Sequence, residues 1–217
     1  MAWMGLNGQM MSWTAVIPVK RLDSAKSRLT DVGDPRRPEL ALAFFQDVLI
    51  ACQSAPSIGL VVVVTDDAEV IACSSGALMC PEPEGGGLNQ AMLAGAALAQ
   101  GPVVALAGDL PSLTPGALEY VLSLASSHQR SLLSDTQGSG TAMLLCHDNA
   151  VFDPHFGFKS RSSHVQFGYS DLALDAPADI RSLLAGARRD VDTPADLWDA
   201  LRIGVGPNTS EVLGRQP

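Results

Sequence analysis

The chain has 217 residues, 47% of them hydrophobic, 17% charged and 5% aromatic, a globular composition far from that of disordered or collagen-like chains. At about 150 residues per domain, one compact domain is the default. The net charge of −9 excludes a general nucleic-acid binder, which needs a basic face.

Residues 1–13 hold Met1, Met4, Met10 and Met11 with neither positive charge nor a continuous apolar run, so they read as an extension and not as a signal peptide. The domain is expected over 14–207, with 208–217 as a C-terminal tail. Trp13 to Val19 is a β-rich run that stops at Lys20, and Pro38 to Cys52 carries the broad apolar surface of a helix packed on a sheet, with Pro38 in its first turn. Leu60 to Val64 and Val103 to Ala107 are unbroken apolar runs, suited to strands buried on both faces of a parallel sheet. Neither approaches the ~18 residues of a membrane span. Ala77 to Cys80 is a weaker strand, Asn89 to Gln100 and Thr114 to Ser126 are helical, and Met143 to Cys146 is a further strand. Asp148 to Asp171 reads as irregular and polar, Arg189 to Val191 as a last short strand, and Pro194 to Leu201 as a helix. Strands alternating with helices predict a single three-layer α/β domain with a mostly parallel sheet. Ligands bind beyond the carboxyl ends of such strands, so the loops at 20–30, 65–67, 81–89, 108–111 and 189–193 should line one edge. Cys52, Cys73, Cys80 and Cys146 show no C-x-x-C spacing, which fits a reduced, cytoplasmic protein.

The charge is unevenly placed. Lys20, Arg21, Lys26, Arg28, Arg36 and Arg37 crowd the N-terminal stretch, whereas residues 38–129 carry nine acids and no Lys or Arg. Lys20, Lys26 and Arg28 form a cationic loop that either holds nucleotide phosphates or is a solvated surface loop; no P-loop pattern occurs. The glycines before Leu88 and Asn89 either let a ligand approach the backbone or make a plain turn, and Gln90 stands where a dinucleotide fingerprint needs its third glycine. Asp109 follows a buried strand, and Asp190 and Asp192 share one face of extended chain. Three carboxylates at strand ends make an oxygen-rich site for Mg²⁺. Helix capping accounts for Thr193 and Asp192 but not for Asp190 or Asp109. Gly138 to Ala142 and Gly157 to His164 offer backbone and hydroxyl donors for a phosphate or carboxylate, with charge from Lys159 and Arg161; the alternative is a hairpin turn and a surface loop. His164 is open between a surface helix residue and a functional one.

Several of these segments, in this order, resemble the 2-phospho-L-lactate or phosphoenolpyruvate guanylyltransferases of coenzyme F420 biosynthesis. They are Ile17-Pro18-Val19-Lys20 with Ala25 to Leu29, Gly86 to Asn89, Gly108-Asp109-Leu110-Pro111, Gly140-Thr141-Ala142, Phe156-Gly157 with Ser160 and His164, and Asp190 to Pro194, followed by the tail Leu201 to Pro207. The resemblance implies a nucleotidyltransferase of glycosyltransferase-A-like fold that moves GMP from GTP to the phosphate of a three-carbon acid with Mg²⁺, releasing pyrophosphate. It implies metal binding by Asp109, Asp190 and Asp192, binding of the phosphorylated acid by Thr141, Gly157, Ser160 and His164, GTP phosphates facing Lys20, Lys26 and Arg28, and guanosine near Gly87, Leu88 and Asn89. This chain carries Phe158-Lys159 where a proline commonly follows the family's glycine.

The acceptor expected is phosphoenolpyruvate or 2-phospho-L-lactate, with functional coupling to the next transferase of the pathway and no nucleic-acid or membrane partner. The rivals are an enzyme of the same fold with another acceptor, such as 3-phosphoglycerate or a sugar phosphate, and a non-catalytic nucleotide-binding module, which needs no acidic triad.

Overall fold

The computed structural model describes residues 12–23, 29, 36–175, 177 and 180–214. Lys26 and Arg28, most of the expected N-terminal extension and the last three residues lie outside them. In chain order the elements are β1 (Trp13–Pro18), α1 (Arg36–Gln53), β2 (Ile58–Val64), α2 (Ala68–Cys73), β3 (Leu78–Cys80), α3 (Leu88–Ala96), β4 (Val103–Leu106), α4 (Pro115–Ala125), β5 (Arg130–Ser134), β6 (Thr141–Cys146), a 3₁₀ turn (Asn149–Val151), α5 (Ser160–Gln166), β7 (Ser170–Asp171), α6 (Leu172–Asp175), α7 (Arg181–Arg188), α8 (Pro194–Ile203) and α9 (Pro207–Gly214).

Seven strands form one sheet in the order β3-β2-β1-β4-β6-β5-β7. All run parallel except β6, which is antiparallel to both β4 and β5. Alternate residues of the central strands serve opposite faces, as extended chain requires. Ala15, Ile17, Val61, Val63, Val104 and Leu106 pack under α1 and α4, while Val16, Val62, Val64 and Ala105 pack under α3. Burial on both faces explains why these strands read as continuous apolar runs. A third cluster joins Leu40 and Phe44 of α1 to Val191, Ala200 of α8 and Val212 of α9.

Three expectations need correction. Arg189 to Val191 does not join the sheet: its recorded tie to a strand end is one bond, from the Val191 N–H to the Asp109 carbonyl at 3.1 Å. Asp148 to Asp171 is not irregular but holds the 3₁₀ turn, α5 and β7; the buried residues of α5 are the polar Ser160 and His164, so no hydrophobic period announces it. The helix expected over Asn89 to Gln100 is shorter, ending at Ala96. Helix α9 packs on α1, where the Asp47 carboxylate accepts the N–H groups of Asn208 (3.0 Å) and Thr209 (3.0 Å). Among the described residues no helix is long and apolar enough to cross a membrane. All four cysteines are free thiols.

Candidate active site

The carboxyl ends of β1 and β4 open into a cavity of about 560 Å³, within the usual range for a small-molecule site. Its apolar lining includes Val19, Leu22, Ala41, Leu88 and Met92, and its polar lining Lys20, Asp109, Asp135, Thr141, Ser160, Asp190 and Asp192.

The β1 loop delivers Lys20. Asp67, which caps α2 by accepting the Glu69 and Val70 N–H groups, also accepts the Leu22 N–H at 2.9 Å. Burial pushes its carboxyl pKa up, but the bonds from Leu22, Val70 and Glu69 together with the Arg21 charge outweigh that and hold it below the ordinary value. The start of this loop is therefore fixed from β2.

Asp109 stands three residues after the end of β4. Asp190 and Asp192 are brought to it by the Val191 N–H bond to the Asp109 carbonyl. Val191 between them is fully buried, so its two neighbours are turned the other way, into the cavity. The capping alternative is resolved by α8. Thr193 and Asp196 form a reciprocal capping box, which leaves the placement of Asp190 and Asp192 unexplained by capping. Burial, followed by the charges of Asp109 and Asp192, pushes the Asp190 carboxyl up to about 6. A fourth acid, Asp135, adds to that repulsion from the end of β5. Its carboxylate accepts the N–H groups of Ser139 (2.9 Å) and Gly140 (2.8 Å) across the β5–β6 turn. Asp135 was missed in the sequence, where its signal was an Asp opening a turn rich in Gly and Ser.

Oxygen-only donors that repel one another suit a hard divalent cation such as Mg²⁺, which keeps waters and takes substrate phosphate as further ligands. Among the described residues no three His, Cys, Asp or Glu side chains are drawn into a ready-made cation cluster. Asp109, Asp190 and Asp192 line one cavity without being drawn into such a cluster.

A second part of the lining is made by Thr141, Phe156, Gly157 and Ser160. Thr141 reaches the same edge as Asp109 because β6 is antiparallel, which pairs Leu106 with Met143 at the end of β4. Gly157 adopts φ +140°, a conformation that disfavours a side chain. Lys159 is left-handed at φ +55°, and Phe158 is 91% exposed.

Other expected residues sit differently. Asn89 commits its amide to the loop opposite: its Nδ2–H donates to the Phe156 carbonyl (3.1 Å) and its Oδ1 accepts the Phe156 N–H (2.7 Å). These two bonds tie the start of α3 to the segment that carries Phe156 and Gly157. Gly87 is the N-cap of α3 and does not line the cavity, whereas Leu88 does. His164 is fully buried behind Thr141 and is not on the cavity surface. Lys159 and Arg161 do not line it either, and Arg161 pairs with Asp171. Arg189, next to Asp190, pairs with Asp196 (3.1 Å) and Asp199 (3.2 Å). Among the described residues Lys20 is thus the one cation in the lining. A smaller recess shares Pro18, Val19, Lys20 and Leu88 with the cavity and adds Val64, Ala91 and the acid Glu82.

Comparison with known proteins places this site in context. Residues 13–215 match the family described as "Guanylyl transferase CofC like". The chain is 43% identical over 214 residues to the phosphoenolpyruvate guanylyltransferase of Streptomyces coelicolor, covering 94% of this chain and 97% of that one. It is 41% identical over 210 residues to that of Nocardia farcinica, covering 92% and 89%. Among solved structures, a putative nucleotide-diphospho-sugar transferase from Desulfovibrio desulfuricans G20 superposes with a TM-score of 0.64 at 17% identity, covering 94% of each chain. A 4-diphosphocytidyl-2C-methyl-D-erythritol synthase superposes at 0.55 and 12% identity, covering 90% and 99%. These two likenesses establish the shared fold.

Proposed function

This chain belongs to the CofC-like guanylyltransferase family and is a nucleotidyltransferase, and on that premise we propose that it transfers GMP from GTP to the phosphate of phosphoenolpyruvate, releasing pyrophosphate. The observation that carries the proposal is the one cavity whose lining brings together Asp109, Asp190 and Asp192, Thr141, Gly157 and Ser160, and Lys20. An oxygen of the acceptor phosphate attacks the α-phosphorus of the nucleotide, the bond to the β-phosphate oxygen breaks, and pyrophosphate leaves. The acceptor oxygen is already ionised near neutral pH, so no general base is needed.

The difficulty in this reaction is electrostatic, because two polyanions must meet. Asp109, Asp190 and Asp192 would hold Mg²⁺, which supplies charge neutralisation and orientation of phosphate oxygens. Lys20 meets nucleotide phosphate from the β1 side, and Lys26 and Arg28, six and eight residues further along the sequence, are proposed to join it. Thr141, Ser160 and the Gly157 backbone hold the three-carbon acid beside them. We place the reaction in the cytoplasm, in coenzyme F420 synthesis, where the phosphoanhydride product passes to the next transferase.

A pyrophosphate-release assay crossing GTP, ATP and CTP with phosphoenolpyruvate, 2-phospho-L-lactate and 3-phosphoglycerate tests this. Release that needs both GTP and phosphoenolpyruvate, at a kcat/KM above every other pair, is the expected result. Release from no pair in the presence of Mg²⁺ would overturn the enzymatic reading, and preference for another acid would reassign the substrate.

A further inference from the structure

The wall assigned to the phosphorylated acid is held from behind by one imidazole. His164 is fully buried on α5, one helical turn after Ser160. Its Nε2 accepts the backbone N–H of His155 at 2.8 Å. Its Nδ1 lies 2.9 Å from the Thr141 hydroxyl oxygen. A backbone N–H can only donate, so Nε2 must carry a lone pair, and in the neutral ring the proton is on Nδ1. Nδ1–H therefore donates to Thr141 Oγ1, and the hydroxyl hydrogen of Thr141 is left for an acceptor other than this ring. No described protein group is recorded as taking it, and Thr141 lines the cavity.

We propose that His164 is a positioning residue for the acid subsite: it fixes the Thr141 hydroxyl as a hydrogen-bond donor to the bound anion and ties that strand to the loop that carries Gly157. Left to itself, a threonine hydroxyl can donate or accept, and an anion benefits from only one of these. An imidazole with its Nδ1–H on the oxygen removes the choice before the substrate arrives, the preorganisation that makes a donor effective. Burial, helped by the His155 charge and opposed by that of Asp153, pushes the ring pKa down to about 4, which agrees with a neutral ring whose second proton would face the His155 N–H. The same ring spans three positions of the acid wall. It touches Thr141 directly, holds the strap leading to Gly157 through His155, and shares a helix with Ser160.

The inference rests on the reading of this wall as the acid subsite, and the test separates the two. The His164→Gln side chain reaches the Nε2 position and keeps an acceptor for the His155 N–H, but loses the donor to Thr141. The His164→Asn side chain places its amide nitrogen near the Nδ1 position and keeps that donor. The expected result is a rise of about tenfold or more in the KM for phosphoenolpyruvate in His164→Gln, with the KM for GTP within about twofold of the original. His164→Asn should recover most of the loss. In a Thr141→Val background, His164→Gln should add little, because the hydroxyl it orients is gone. ¹⁵N NMR of the imidazole should show Nδ1 protonated and Nε2 bare. Equal rises in both KM values, multiplying effects of His164→Gln and Thr141→Val, or a ring protonated on Nε2 would overturn the proposal. Absence of phosphoenolpyruvate-dependent turnover in the unmutated chain would count against the substrate reading instead, while the NMR result still decides the proton's place.

Discussion

The two walls of the cavity are built in different ways. Lys20 and Asp109 stand at the ends of β1 and β4, buried parallel strands whose apolar runs stop where the functional residue begins. Thr141, Gly157 and Ser160 stand on the one antiparallel strand, on a strap and on a seven-residue helix. Long-range polar bonds hold them together: Asn89 to Phe156 and His164 to Thr141, 67 and 23 residues apart. Hydrophobic burial positions the first set, and directional hydrogen bonds position the second, which we propose to be the metal and nucleotide wall and the acid wall respectively. Damage to the first should remove the chemistry, and damage to the second should loosen one substrate.

The largest effect is expected at the carboxylates. Asp190→Asn keeps the size of the side chain and removes a charge that burial, Asp109 and Asp192 already disfavour. Turnover should fall by about a thousandfold or more, on the scale of losing a principal electrostatic element of a transition state. The melting temperature should stay level or rise, since activity and stability oppose each other at such a site. Pyrophosphate release near the original rate would break the assignment of this wall to catalysis, and so would an equal loss accompanied by unfolding in a thermal melt.

A smaller and more selective effect is expected at Asn89. Alanine there leaves the Phe156 N–H and carbonyl without their partner, a cost of about 1–3 kcal/mol for each buried group left unsatisfied. The melting temperature should drop by several degrees, at about 2–4 °C per kcal/mol for a chain of this size. The KM for phosphoenolpyruvate should rise about tenfold while that for GTP changes little. If GTP binding weakens as much as acid binding, Asn89 belongs to the nucleotide wall after all, and the contrast between the two walls fails.

That contrast also explains what was legible in the sequence. The central strands were readable because burial on both faces leaves only apolar residues, as from Leu60 to Val64 and from Val103 to Leu106. Asp109, Asp190 and Asp192 could be picked out because carboxylates at such ends have no packing role, and α8 was marked by Thr193-Pro194 with Asp196. The acid wall was named through resemblance and not through any period. Helix α5 hides because the residues it buries are polar, and the antiparallel course of β6 depends on pairing partners far away in the chain. The long-range contacts of Asn89 and His164 are hidden for the same reason. A side chain that serves a distant backbone group gives no local sign of it, and Asn89 beside three glycines looks like part of a ligand loop until Phe156 is seen against it.

The smallest effect expected is on pH dependence, and it isolates the buried imidazole. His164 is held near pKa 4 in the fold, against an ordinary value of 6.5 in the unfolded chain. Between those values the unfolded chain takes up a proton that the folded ring refuses. The contribution is therefore intact above about pH 6.5 and is lost as the pH falls toward 4. At 1.36 kcal/mol per pH unit, about 2 kcal/mol of stability should go between pH 7 and pH 5 on this account. Carboxylates titrate over part of the same range, so the comparison must be with His164→Gln, which shares every carboxylate and has no ring to protonate. Denaturant midpoints at pH 7 and pH 5 should show the original chain losing about 2 kcal/mol more than the variant. Equal losses would mean that the ring can accept its second proton inside the fold. The His155 N–H bond to Nε2, which places the proton on Nδ1 and aims the Thr141 hydroxyl into the cavity, would then not hold in solution.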